Sequence, residues 1–343
     1  MTDISIDAEE APDIAAFTHL VERLRGQIGR VIVGQDDLVR TVLACLLVGG
    51  HVLLEGVPGL GKTLLLRTLA DALDLRFTRI QCTPDLMPAD IVGTTVIGDT
   101  AEAGTTRFQA GPVFSQVLLA DEINRASPKT QSALLEAMAE RRVTVGGVTR
   151  ALPEPFFVMA TQNPIEMEGT YPLPEAQLDR FLAKLLVAMP AADELVAILH
   201  RTTGVGSPCA EPVADTEQVR AAGTLVRSMP IAEHVLRHAV DLVQATHPGD
   251  PTAPESVRRY VDYGASPRGA QALVLLGKAG ALLDGRTAVA IDDIRTAVYP
   301  CLRHRVVLGY EALAADVAAD DVLAAVLDAV PVPRPSVRGA GVP

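Results

Sequence analysis

The sequence predicts an α/β fold with a parallel sheet, followed by an all-α domain, and three observations carry that prediction. Gly56-Val57-Pro58-Gly59-Leu60-Gly61-Lys62-Thr63 has the spacing G-x-x-x-x-G-K-[ST]; the apolar run Val52-Leu53-Leu54 precedes it and helix-spaced apolar residues follow at 64–73. Val117-Leu118-Leu119-Ala120 is a second unbroken apolar run, of the kind a buried parallel strand shows, and it ends in Asp121-Glu122. From Thr216 onward the apolar residues recur at helical spacing.

Length and composition bound the rest. The 343 residues suffice for two domains with their own cores, and 48% hydrophobic residues with only 3% aromatic and no Trp make those cores aliphatic. No run approaches the ~18 apolar residues of a membrane span. Residues 1–13 are acidic, lack the features of a signal peptide and predict disorder, so a cytoplasmic protein is expected. The formal net charge of −12 argues against generic nucleic-acid binding, although it leaves room for a basic pore in a ring. Cys45, Cys82, Cys209 and Cys301 have no C-x-x-C pairing and read as free thiols of a reducing compartment.

In chain order, residues 14–28 predict a helix with Phe17, Leu20, Val21, Leu24 and Ile28 on one face; Asp36-Asp37 opens a second over 38–48. The glycine loop follows the strand at 52–54. Gly56, Gly59 and Gly61 let successive backbone N–H groups turn toward an anion, and the positive end of the next helix adds to them. Lys62 can reach β- and γ-phosphates, and the Thr63 hydroxyl can ligate Mg²⁺. A second strand is expected at 76–81, then a hairpin around Ile91-Val92-Gly93-Thr94 and Arg107-Phe108-Gln109, with its turn at 98–104.

Ligands of open α/β sheets sit where strands end. Asp121 there is a candidate Mg²⁺ ligand, and Glu122 a candidate base that polarises the attacking water. The bland alternative is an acidic strand exit. Ser127-Pro128 starts a helix through Leu134, Leu135 and Met138. Residues 141–150 alternate around Gly146-Gly147 and predict a second hairpin. Phe156 to Thr161 is another buried strand; Asn163 at its end either orients water or simply turns the chain before Pro164. Arg180 precedes a strand at 182–187. A short helix at 192–200 leads into a linker, and helices follow with Val219, Ala222, Leu225 and Val226, then Ile231, Val235, Ala239, Leu242 and Val243. Ser266-Pro267 caps a helix reaching Leu283, and a final pair covers 291–302 and 312–327. The Pro- and Gly-rich tail at 331–343 predicts disorder.

Specific phrases in this order resemble AAA+ ATPases of the MoxR family. They are Val33-Gly34-Gln35, the glycine loop, Thr83-Pro84-Asp85-Leu86-Met87-Pro88-Ala89-Asp90-Ile91, Ala120-Asp121-Glu122-Ile123-Asn124-Arg125-Ala126, Ala160-Thr161-Gln162-Asn163-Pro164, Glu175-Ala176-Gln177-Leu178-Asp179-Arg180-Phe181 and Ser266-Pro267-Arg268-Gly269. The resemblance implies an AAA+ parallel-sheet domain at 14–190 with helix-2 and pre-sensor-1 hairpin insertions, a linker at 191–215, and an all-α lid at 216–330. It implies ATP and Mg²⁺, with ATP held between the α/β domain and the lid by residues 56–64, including Val57, Pro58, Leu60 and Leu64. Gly34 and Gln35 would lie by the adenine, Asn163 would be the sensor-1 residue, and Gln81 a switch partner of the catalytic glutamate. Arg268 would be the sensor-2 arginine, reaching the bound nucleotide from the lid. Arg180 would be an arginine finger inserted into the neighbouring subunit of a hexameric ring.

The resulting expectation is a chaperone-like ring ATPase whose client is a von Willebrand factor A-type protein, assisted in remodelling or in metal-cofactor loading, with any membrane contact made only through a partner. Two other classes stay open at this point. An ATP-gated scaffold with little turnover would not need Glu122. A nucleic-acid motor is disfavoured by the acidic balance and by having only Lys62, Lys129, Lys184 and Lys278, but Arg141, Arg142 and Arg150 keep it open.

Overall fold

The computed structural model describes residues 14–97, 106–163, 169–204, 206 and 208–333. The expectations for the N-terminal stretch, for the turn at 98–104, for Pro164 and for most of the tail lie outside the described residues. The first half runs α1 (Ile14–Val31), α2 (Asp36–Leu47), β1 (Val52–Glu55), α3 (Lys62–Ala72), β2 (Phe77–Gln81), α4 (Pro88–Val92), and a hairpin of β3 (Gly93–Ile97) and β4 (Thr106–Ala110). It continues with β5 (Val117–Asp121), α5 (Pro128–Glu140), a second hairpin of β6 (Arg142–Val145) and β7 (Val148–Ala151), β8 (Phe157–Gln162), α6 (Glu175–Leu178) and β9 (Ala183–Leu186).

Among the described residues, five parallel strands form one sheet in the order β2-β5-β8-β1-β9. The apolar runs of β1, β5 and β8 are buried on both faces, and their side chains alternate between two cores. Val52, Leu54, Val117, Leu119, Phe157 and Met159 pack with α1–α3 and the C-terminal helices. Leu53, Leu118, Ala120, Val158 and Ala160 pack on the other face with residues of α4 and α5. Burying each such Val or Leu is worth roughly 1.5–3 kcal/mol relative to exposure, which is why the runs tolerate no polar residue before the strand ends.

The two hairpins meet side by side. The Arg150 guanidinium stacks over the Phe108 ring at 3.9 Å, and Phe108 in turn packs edge-on against Phe114, 5.5 Å between centroids. Helix α5 starts as expected, with Ser127 Oγ accepting from Thr130 N.

After α7 (Ala192–Thr202), the second half is helical: α8 (Thr216–Ser228), α9 (Glu233–Gln244), α10 (Glu255–Tyr260), α11 (Pro267–Leu283), α12 (Ile291–Leu302), α13 (Tyr310–Ala314) and α14 (Ala319–Ala329). Periodicity revealed neither α10 nor the antiparallel pair β10 (Val261–Tyr263) and β11 (Val307–Leu308). The single helix expected over 312–327 is two. Asp316 adopts φ 54° and ends α13, and Asp321 accepts from Ala318 N to begin α14. No described helix is long and apolar enough to cross a membrane.

Candidate active site

The strand ends converge at one edge of the sheet. Because β1, β8, β5 and β2 are parallel neighbours, the glycine loop after Glu55, Asn163 after β8, Asp121-Glu122 at the end of β5 and Gln81 at the end of β2 lie along that edge in order. This is where a doubly wound sheet binds its ligand.

The glycines of the loop have different jobs. Gly59 and Gly61 have φ 86° and 76°, where a side chain is strained, yet an added Cβ would meet nothing within 4 Å. Gly56 is needed for space, since a Cβ there would lie 2.9 Å from the Val187 Cβ and 3.0 Å from its carbonyl oxygen. Gly61 caps α3, so Lys62, Thr63 and Leu64 form its first turn, where free N–H groups and the helix dipole face an anion. Pro58 and Leu64 are exposed, and Val57 and Leu60 are half-buried. Lys62 Nζ donates to Gly56 O, folding the side chain back over its own loop. Burial lowers its pKa, and the charges of Asp121, Glu122 and Glu55 oppose that.

Both carboxylates are held by neighbouring strands. Asp121 Oδ2 accepts from Arg79 Nη2 at 2.6 Å and Nε at 3.2 Å, while Oδ1 accepts from the Thr161 hydroxyl at 2.6 Å. The same hydroxyl accepts from Glu122 N at 2.8 Å. Glu122 sits at φ 56°, an uncommon conformation for a residue with a side chain, and Thr161 is one of the groups that hold it there. Glu122 Oε2 accepts from Gln81 Nε2 at 3.0 Å and Arg125 Nη1 at 3.2 Å, and Arg79 also donates to Gln81 Oε1 at 2.8 Å. Arg79, Arg125 and Thr161 were not singled out from the sequence. An arginine inside a predicted strand, two residues before its polar end, was the available signal for Arg79. The Asp121 carboxylate and the Thr63 hydroxyl are hard oxygen donors, which suits Mg²⁺.

Gly34 and Gln35 form a turn with φ 63° and 56° before α2. Helix α7, the short helix expected at 192–200, covers that turn. A Cβ on Gly34 would fall 1.8 Å from Glu194 Oε1, and Arg201 donates to Gly29 O and Ile32 O at 2.8 and 3.2 Å. An open pocket of about 390 Å³ beside it is lined by Ile28, Ile32, Gly34, Asp36, Val39 and Leu283 among others.

Arg180 and Arg268 stand elsewhere. Val52 pairs with Ala183 and Glu55 with Leu186 in parallel register, so the segment before β9 lies at the sheet edge opposite the glycine loop, with a strand of roughly 13 Å between them. There Arg180 Nη1 donates to Leu135 O in α5 at 2.8 Å, and Arg268 Nη1 lies 3.4 Å from Asp179 Oδ2. The start of α11 therefore places Arg268 beside Asp179 at the base of its own sheet, away from its own glycine loop.

Comparisons with known proteins agree with this geometry. Residues 51–183 match the model of the "ATPase family associated with various cellular activities (AAA)", and residues 253–326 match the AAA lid domain. The chain is 45% identical over 338 residues to Chaperone MoxR1 of Mycobacterium tuberculosis, covering 95% of this chain and 87% of that protein. It is 36% identical over 294 residues to Protein MoxR of Paracoccus denitrificans, covering 81% and 86%. A crystal structure from Cytophaga hutchinsonii superposes with a TM-score of 0.88 at 38% identity, covering 94% of this chain and 97% of that one. Likeness of this extent, across the sheet domain and the helical lid alike, shows that the chain belongs to the MoxR family of AAA+ ATPases.

Proposed function

We propose that identical protomers, six by family likeness, assemble head to tail into a ring and hydrolyse ATP between neighbours to remodel a client protein. Residues 56–64 hold the phosphates, and Lys62 leaves Gly56 O for the β- and γ-phosphates. Thr63 and Asp121 are the residues that would hold Mg²⁺, which when bound neutralises charge on the phosphate oxygens. Glu122, released from Gln81, accepts a proton from water as the water oxygen attacks the γ-phosphorus and the bond to the ADP oxygen breaks; Asn163 orients that water. Gly34 and Gln35 border the adenine.

Arg180 and Arg268 serve the neighbour's nucleotide. The observation that carries this reading is their position at the sheet edge away from their own loop, so that only a heterologous contact, which closes into a ring, brings them to a phosphate. A finger arginine is worth ~10³–10⁵ in rate in other P-loop enzymes. Turnover then changes the lid angle and moves the two hairpins against the client. For the client we propose a von Willebrand factor A-type protein in the cytoplasm, matured or loaded with its metal cofactor; the chaperone designation of the Mycobacterium tuberculosis relative supports the class of activity.

Steady-state hydrolysis tests this. Glu122→Gln is expected to lower kcat by about 10²–10⁴ while still binding ATP, and Lys62→Ala to abolish binding. Unchanged rates in both variants overturn the proposal. A pull-down with Glu122→Gln is expected to retain the client, because slowed hydrolysis holds the bound state.

A further inference from the structure

We infer that Arg305 is the positioning residue for Arg180, and that through it the helical lid and the finger segment move as one body. This rests on the reading of Arg180 as a residue of the neighbour's site and goes beyond it. The Arg305 side chain is 3% exposed. Its Nε donates to Asp179 Oδ1 at 2.8 Å, Nη1 to Leu182 O at 3.1 Å, and Nη2 to Asp179 O at 3.2 Å and Phe181 O at 2.6 Å. A further bond from Nη1 to Cys301 O ties the guanidinium to the end of the preceding helix, α12.

These partners surround Arg180 in the chain. Residues 179–182 belong to neither α6 nor β9, so the carbonyls of Asp179, Phe181 and Leu182 take no part in the sheet's ladder. A buried carbonyl needs a donor. Arg305 supplies one to each, and His304 Nε2, 3.0 Å from Phe181 O, lies on the same segment. A guanidinium suits the task because its planar fork offers five fixed N–H groups, which an ammonium cannot match. The Asp179 carboxylate completes the clamp by accepting from Ser266 Oγ at 3.0 and 3.1 Å, at the start of α11. Four residues from two segments of the lid, Ser266 and Arg268 at the start of α11 and His304 and Arg305 just after α12, thus hold the loop that presents Arg180. Lid rotation in one protomer necessarily shifts the group offered to the next one's phosphate.

A merely structural role and a positioning role differ in how subunits complement one another. Arg305→Lys keeps the charge and loses the fork. We expect it to bind ATP with KM within about twofold of wild type, and to lower kcat about 10²-fold, the scale of an ångström-level misplacement. Its own loop and Glu122 remain intact, so mixing it with excess Glu122→Gln protein, whose Arg180 is correctly held, should restore turnover. Asp179→Asn is the second variant, should Arg305→Lys fail to fold, and should behave alike. Arg180→Ala mixed with Glu122→Gln is the control for the underlying reading. If that control is not rescued, Arg180 does not act in trans and the reading itself fails. If the control is rescued but the Arg305 and Asp179 variants keep wild-type kcat, or are slow and not rescued, the positioning role is overturned.

Discussion

Gln81 Nε2 donates a 3.0 Å hydrogen bond to Glu122 Oε2, so the carboxylate at the end of β5 is tied to the strand beside it. A glutamate held this way is not free to face water. The bond is exposed at the sheet edge, with Arg125 donating to the same oxygen at 3.2 Å.

Gln81→Ala is therefore expected to raise client-free ATPase turnover. One hydrogen bond is worth about 0.5–1.5 kcal/mol net, which bounds the rise at about tenfold. Phosphate release measured over a range of ATP concentrations checks this. A slower variant means instead that Gln81 holds Glu122 in its working position.

The division of labour among the loop glycines separates stability from binding. Gly56→Ala must push Val187 aside and is expected to lower stability by about 1–3 kcal/mol, the usual cost of overpacking. Gly59→Ala has open space and meets only the backbone strain of φ 86°, about 1–2 kcal/mol. Both should weaken nucleotide binding, but only Gly56→Ala should also loosen the β1–β9 pairing. Hydrogen exchange at β9 distinguishes the two.

Buried histidines give the fold an acid limit. His51 accepts from Val158 N at 3.0 Å and lies 3.2 Å from Met138 O; burial lowers its pKa to about 4 from 6.5. Burial likewise takes His304 well below 6.5, with Arg305 adding to it. Both are neutral when folded but take up a proton when unfolded below pH 6.5. Stability is thus fully present above pH 6.5 and falls toward pH 4, by roughly 3 kcal/mol for His51 alone. Denaturant midpoints should drop between pH 7 and 5, and less so in His51→Gln. A flat profile contradicts neutral buried imidazoles.

Arg150 couples the hairpins. Arg150→Ala removes the stack on Phe108 and the bonds to Val145 O and Val148 O, at 3.1 and 3.0 Å. A stack of this kind contributes ~0.5–1 kcal/mol at an exposed site. Faster amide exchange is expected in β3–β4 as well as in β6–β7. Exchange confined to β6–β7 would mean that the hairpins are independent.

What could be seen in the sequence was what depends on near neighbours. The spacing of Gly56 to Thr63, the apolar run closed by Asp121-Glu122, and the Ser266-Pro267 start of α11 are local patterns, and the elements form where those patterns sit. Arg79 and Thr161 escaped because they meet Asp121 only through the strand order β2-β5-β8, which brings together residues some 40 positions apart. Arg305 escaped for the same reason, at a separation of 126 positions from Asp179. The position of Arg268 depends on how the lid folds back along α2, and no local pattern encodes that. Helix α10 and strand β10, six and three residues long, fall below the length at which periodicity is informative.

Turnover per protomer as a function of protein concentration, with mass followed by light scattering, tests most directly whether each site is completed by a neighbour. Specific activity should rise with the fraction assembled and vanish for the dilute monomer, while Arg180→Ala stays low at every concentration. A specific activity that is constant down to dilutions where only monomers remain, and unaffected by loss of Arg180, would contradict a site shared between two chains.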